Sequence, residues 1–200
     1  MNYLAHLLLA SHSDAAMLGA FLGDFVKGRD YLAFDPEIRR DILVHRRVDS
    51  FTDNHPVVRE ARENFAPSRR RFAGIALDVF FDHVLAREWQ QYGEGTLGEF
   101  TGRVYRMFEH HAALMPASAR DVASRMAQQD WLGAYAQREG LERALAGIGR
   151  RLSRHGERLA ACAQDLREYD AELVAGFHRL FPELRRQVVD FRLEADLADD

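Results

Sequence analysis

One cysteine in 200 residues leaves Cys162 nothing to pair with, so an internal disulfide is excluded and a reducing compartment fits. Cys162 sits in the alanine-rich run Leu159-Ala160-Ala161-Cys162-Ala163, which reads as helix packing and not as a nucleophile. No stretch reaches the roughly 18 apolar residues needed to span a bilayer. The opening Met1-Asn2-Tyr3-Leu4-Ala5-His6-Leu7-Leu8-Leu9-Ala10 has no basic segment before its apolar run, and His6 interrupts that run. It is therefore not read as a secretory signal, and the expected location is the cytoplasm, away from membranes. A formal net charge of −4 gives no reason to expect nucleic-acid binding. Alternation at a period of two is missing as well, so no strand is expected. Repeats, low-complexity linkers and a domain boundary are also missing, and residues 1–200 read as one all-α domain with a core large enough to fold without disulfides.

What is present is helical periodicity along nearly the whole chain. A first helix is expected from about residue 2 to 11, and a second, capped by Ser13, from 14 to about 27, with Gly28 as its stop. Asp24 then falls in the last turn of that second helix, where a carboxylate opposes the helix dipole and asks for a cation. Asp35-Pro36 opens a helix that reaches about residue 51 to 53. Asn54 caps a short helix through residue 62, and a long one covers about 69 to 91. Thr96-Leu97-Gly98-Glu99 has the form of a capping box. The longest helix is expected over 156 to 181, stopped or kinked at Pro182. An acidic tail, 194–200, contrasts with the basic clusters Arg69-Arg70-Arg71, Arg150-Arg151 and Arg185-Arg186.

The most informative stretch is His45-Arg46-Arg47-Val48-Asp49-Ser50-Phe51-Thr52-Asp53-Asn54. His45, Asp49 and Asp53 are spaced four apart and share one helix face, so an imidazole and a carboxylate can converge on one cation. Arg46 and Arg47 can meet phosphate oxygens through paired N–H donors. The plainer account of the same stretch is an exposed helix with ordinary salt bridges. Asp78, Asp82 and His83 stand inside the apolar run 72–85, where a carboxylate needs either a metal or a buried Arg or His partner. Together with His6 and Asp24 these are imidazole and carboxylate donors with no thiolate, a set that suits Mn²⁺, Fe²⁺, Mg²⁺ or Zn²⁺. Such an ion lowers the pKa of a water and stabilises charge on phosphoryl oxygens. His110, His111, His155 and His178 read as surface or packing residues.

Several of these segments carry a family resemblance. Residues 1–7 (Met-Asn-Tyr-Leu-Ala-His-Leu), 23–28 (Gly-Asp-Phe-Val-Lys-Gly), 45–54, 58–62 (Val-Arg-Glu-Ala-Arg) and 77–83 (Leu-Asp-Val-Phe-Phe-Asp-His) resemble the acyl carrier protein phosphodiesterase family. The likeness follows the order of helices along nearly the whole chain and is most specific before residue 90. It implies an all-helical bundle related to the HD phosphohydrolases, although the chain has no contiguous His-Asp doublet and Asp82-His83 carries the reverse order. It further implies hydrolysis of the phosphodiester that joins 4′-phosphopantetheine to a serine of holo acyl carrier protein. The implied cofactor is a divalent metal, Mn²⁺ first, with Mg²⁺, Fe²⁺ or Co²⁺ as substitutes. Asp24, His45, Asp82 and His83 would be the ligands and catalytic groups, with His6 beside them and Asp49 and Asp78 as further ligands or orienting groups. Arg69–Arg71, or Arg59 and Arg62, would dock the acidic carrier protein. Two other readings stand beside this one: a metal phosphohydrolase acting on a nucleotide or other small phosphoester, and a non-catalytic helical binding module.

Overall fold

Alanine, leucine, valine and phenylalanine on every side of residues 73–87 make this helix the axis of the molecule, since a helix apolar all round has to be enclosed. A computed structural model describes residues 1–152 and 154–197 of the chain, with the side chains of 196 and 197 left aside. The end of the acidic tail, 198–200, lies outside the described residues. The helices are α1 (Tyr3–Leu9), α2 (Asp14–Leu22), α3 (Pro36–Asn54), α4 (Pro56–Glu63), α5 (Ala73–Arg87), α6 (Leu97–His110), α7 (Ala117–Gln128), α8 (Trp131–Ala134), α9 (Arg138–Gly149), α10 (Gly156–Glu168) and α11 (Asp170–Leu197). The all-α expectation holds. Helix α5 packs against α1, α4, α9, α10 and α11, α2 lies along α3, and α11 crosses α3 and α4. No helix among the described residues is long and apolar enough to cross a membrane.

Local signals account for most helix ends. The Ser13 hydroxyl accepts from Ala16 N–H and starts α2. Pro36 and Pro56 occupy first-turn positions, where a missing N–H costs nothing. The capping box is present in full: Glu99 N–H donates to Thr96 Oγ1 at 3.2 Å, and Thr96 N–H donates to Glu99 Oε2 at 2.7 Å. The start of α1 is different, because the side chain of Asn2 does not cap it. Asp82, on the middle of α5, does so instead, accepting from Leu4 N–H at 2.7 Å and Ala5 N–H at 3.0 Å. A buried carboxylate thereby meets the positive end of a helix and satisfies two of its orphan donors.

Several boundaries differ from the sequence expectation: the long helix expected over about 69 to 91 is α5, Ala73–Arg87, with a separate short 3-10 turn at each end, and three others bear on the fold. Helix α2 ends at Leu22, so Asp24 lies in the turn after it and not in its last turn. His55, not Asn54, caps α4, its ring accepting from Val57 N–H. The longest helix is α11, and the break falls at Tyr169, while Pro182 stands inside α11 without ending it. Pro182 removes one N–H from the ladder, but Phe181 and Leu184 beside it are fully buried, with Phe177 and Phe181 stacked at 5.1 Å and Tyr92 edge-on to both. Each such buried aromatic contributes about 2–3 kcal/mol of burial, enough to outweigh one missing hydrogen bond. Cys162 is buried as expected, and burial pushes its thiol up to about 12.

Candidate metal centre

Helix α3 presents His45 and Asp49 one turn apart, and α1 carries His6 in to meet them. His6 Nε2 stands 3.0 Å from Asp49 Oδ1, and His45 Nε2 stands 3.2 Å from Asp49 Oδ2, so each carboxylate oxygen faces one ring nitrogen. The two imidazoles are buried and stacked, with centroids 3.8 Å apart. Asp24 approaches from the turn after α2, its Oδ1 3.5 Å from His45 Nε2. One donor atom each from His6, His45 and Asp49 falls within a mutual distance of 4.8 Å.

The orientation of His45 is fixed from behind. Its Nδ1 lies 2.7 Å from the Ala20 carbonyl, an acceptor only, so the ring donates there. In the neutral ring this leaves the Nε2 lone pair aimed at Asp24 and Asp49, the arrangement common to metal-binding histidines. Gly23 makes room for it: a Cβ at Gly23 would stand 2.2 Å from His45 Cγ.

The charges are unevenly matched. Burial, with the neighbouring His45 charge, lowers His6 to about 4, so it is neutral at neutral pH and free to act as a ligand. Burial also opposes a charge on His45, but hydrogen bonds and charge from Asp24 and Asp49 outweigh it and hold that ring up to about 9. Burial likewise opposes the ionised forms of Asp49 and Asp24, yet the imidazoles draw both below the usual carboxylate range. Asp78 Oδ1 pairs with the Met1 ammonium at 2.8 Å, and that ammonium stands 3.7 Å from Asp49 Oδ1. Three carboxylates thus face two positive charges, the Met1 ammonium and the proton held by His45, which leaves the cluster one negative charge in excess. The donor set fits a borderline or hard divalent cation, which would take the proton's place on Nε2.

Of the donors expected from the sequence, His6, Asp24, His45 and Asp49 come together, and Asp78 reaches them through the Met1 ammonium. Asp82 does not: its oxygens are taken by the start of α1, and burial, against those two N–H donors, pushes its carboxyl up to about 7. His83 turns the other way, its Nδ1 2.6 Å from the Tyr135 carbonyl, because neighbours on a helix point about 100° apart. The expected arginine clamp is not assembled. Arg46 donates to the carbonyls of Gly28 at 3.0 Å and Val26 at 2.8 Å and covers Tyr31, which holds the chain after α2 in place. Arg47 pairs with Glu194 on α11 at 3.0 Å. Tyr3 was not singled out by sequence; its partly buried phenol sits in the field of Asp24, and desolvation and Asp24 hold its proton on. Its spacing of three from His6 on α1 was the available signal.

An all-helical protein with an imidazole–carboxylate centre fit for a divalent cation is the class that fold and site define. The family model described as acyl carrier protein phosphodiesterase matches residues 1–184. A protein of that name from Serratia proteamaculans is 37% identical over 194 residues, covering 96% of this chain and 100% of the relative. Its namesakes from Yersinia enterocolitica and Photorhabdus laumondii are 35% and 34% identical, covering 95% and 91% of this chain and 98% and 92% of theirs. No solved structure matches. The chain belongs to the acyl carrier protein phosphodiesterase family.

Proposed function

We propose that this chain hydrolyses the phosphodiester joining 4′-phosphopantetheine to a serine of holo acyl carrier protein, releasing the apo carrier and 4′-phosphopantetheine. The supporting observation is the convergence of two buried imidazoles on one carboxylate, in a chain similar along its length to relatives that carry this activity in their name. His6, His45 and Asp49 would hold a divalent metal, Mn²⁺ by the family resemblance, with Asp24 closing the set from the turn after α2. When bound, the metal supplies an activated water and screens the charge that develops on the phosphoryl oxygens.

The protein's own part is positional. The Ala20 carbonyl fixes the tautomer of His45, and Gly23 sets the depth of its ring. The imidazoles form a dry back wall, while Asp24 and Asp49 remain about half exposed and mark the side from which a phosphodiester enters. Asp78 holds the Met1 ammonium beside Asp49, a fixed positive charge at the same mouth. Tyr3 keeps its proton and offers an O–H toward Asp24.

The test is conversion of holo to apo carrier protein followed by mass, with and without Mn²⁺, beside a panel of nucleotides and small phosphodiesters. Metal-dependent loss of the phosphopantetheine mass is expected, abolished in Asp49→Ala and His45→Ala along with bound metal. Folded protein that leaves holo carrier intact with every divalent ion, yet cleaves the small phosphoesters, would sink the carrier reading.

A further inference from the structure

Three polar side chains stand in the apolar stretch of α5 from Ala73 to Ala86: Asp78, Asp82 and His83. All three lead to residues 1–5 of the chain. Asp78 takes the Met1 ammonium at 2.8 Å. Asp82, fully buried, accepts from Leu4 N–H at 2.7 Å and from Ala5 N–H at 3.0 Å. His83 works through an intermediary. Its Nδ1 meets the Tyr135 carbonyl at 2.6 Å, and the buried Tyr135 hydroxyl accepts from Asn2 Nδ2 at 2.7 Å.

Helix α1 needs such support. At seven residues it is too short to hold its form alone. The side chain of Asn2 does not cap it, and the first of its amides to bond back along the chain is that of His6, to the Asn2 carbonyl at a long 3.4 Å. His6 follows Ala5 directly. Whatever fixes the Ala5 amide therefore fixes the base of the imidazole that meets Asp49 and stacks on His45. A metal site keeps its geometry only when each donor is held within about 0.5 Å of its place.

Capping alone does not call for this arrangement. Ser13 and Thr96 cap α2 and α6 from the residue next to each helix, at no cost in buried charge. Burying a carboxylate in the central helix to do the same work is expensive. What the buried carboxylate adds is a fixed relation between α5 and α1, and so between the rigid core and His6.

We propose that Asp82 is a positioning residue for His6, backed by His83 through Tyr135: together they form a bracket that seats α1 and sets its imidazole against Asp49 and His45. Neither Asp82 nor His83 touches the metal. This rests on the metal centre described above, and not on the choice of substrate. The test is a double-mutant cycle on Mn²⁺ affinity, measured by calorimetry on metal-free wild type, Asp82→Asn, His6→Ala and the double variant. Asparagine keeps the shape of the side chain but turns an N–H donor toward one of the two helix amides. In parallel, the His6 ring resonances of the metal-free protein are assigned by their loss in His6→Ala and compared between wild type and Asp82→Asn.

Asp82→Asn should weaken Mn²⁺ binding about tenfold at unchanged stoichiometry, His6→Ala about a hundredfold, and the double variant no further than His6→Ala. The His6 resonances should shift in Asp82→Asn, while those of the exposed His110 stay in place. Losses that multiply in the double variant would make Asp82 a metal ligand in its own right and overturn the proposal. So would an unchanged Mn²⁺ affinity beside a lower melting temperature, the signature of a cap and nothing more. Should Asp82→Asn fail to fold by circular dichroism, Tyr135→Phe takes its place, since it removes only the hydroxyl that holds Asn2. About a threefold loss of affinity is expected there, and an unchanged affinity is fatal. Wild type that takes up no Mn²⁺ removes the metal reading alone; the His6 resonances then decide the bracket, shifted ones keeping it and unshifted ones sinking it.

Discussion

At the scale of the residue, His6 and His45 share one carboxylate but carry different charge. His45 is the one that holds a proton, and its folded value of about 9 lies above the ordinary 6.5. The stabilisation this gives the metal-free protein is present in full below about pH 6.5 and is lost as pH rises through about 9. For His6, whose folded value falls to about 4, stability is lost as pH falls from 6.5 toward 4. A cation that takes His45 Nε2 must therefore displace a proton at neutral pH. Calorimetry at pH 7.5 in buffers of different ionisation enthalpy should show release of about one proton per metal ion bound, and affinity should rise about tenfold per pH unit up to about 9. Binding with no proton release would place the ion away from His45. The spacing of His45 and Asp49 made this pair legible in the sequence. The part played by Asp82 was not, because the composition of α5 shows a buried carboxylate without showing that its partner is the start of a helix 78 residues upstream.

Between elements, the packing of α2 on α3 decides whether the site exists. Gly19 and Gly23 lie one turn apart and let the two helices approach closely; a Cβ at Gly19 would stand 2.4 Å from the Ile38 carbonyl oxygen. The substitutions Gly19→Ala and Gly23→Ala should fail in different ways. Gly19→Ala pushes backbone against backbone and should cost about 1–3 kcal/mol of stability in denaturant melts. Gly23→Ala has an ordinary helical φ of −51° to sit in, so the backbone tolerates it, but the new methyl displaces the His45 ring. Metal affinity should fall at least about tenfold, with a stability loss of about 1–3 kcal/mol, because the methyl also meets His45 Cβ. Metal binding at wild-type strength in Gly23→Ala would show that the depth of the ring does not matter. Helix periodicity and caps were readable for most elements, as the Thr96–Glu99 box shows. The break at Tyr169 and the passage of α11 through Pro182 were not, since both depend on the aromatic stack around Phe177 and Phe181 that only the tertiary structure assembles.

Across the whole molecule, α11 ties together the two helices that carry the imidazoles. Arg192 donates to the Leu9 carbonyl at the end of α1 at 2.6 Å and lies 3.4 Å from Asp41 on α3, while Glu194 takes Arg47 on the same helix. Asp41 is 1% exposed and burial pushes its carboxyl up, so it depends on Arg192 and on Arg40, 3.3 Å away, for its charge to be tolerated. Removing Arg192 leaves Asp41 with Arg40 but without its partner from α11, at the join of α1, α3 and α11, whereas removing both Asp41 and Arg192 also takes away the buried charge that needs neutralising. Arg192→Leu should therefore cost about 3 kcal/mol, a fall of about 6–12 °C in melting temperature for a chain of this length, and loosen His6 against His45 enough to weaken metal binding. Adding Asp41→Leu to Arg192→Leu should recover most of that loss in the same melt. A double variant no more stable than Arg192→Leu would mean that the contacts of Arg192 with the end of α1, and not the neutralisation of Asp41, are what hold the C-terminal helix across the site.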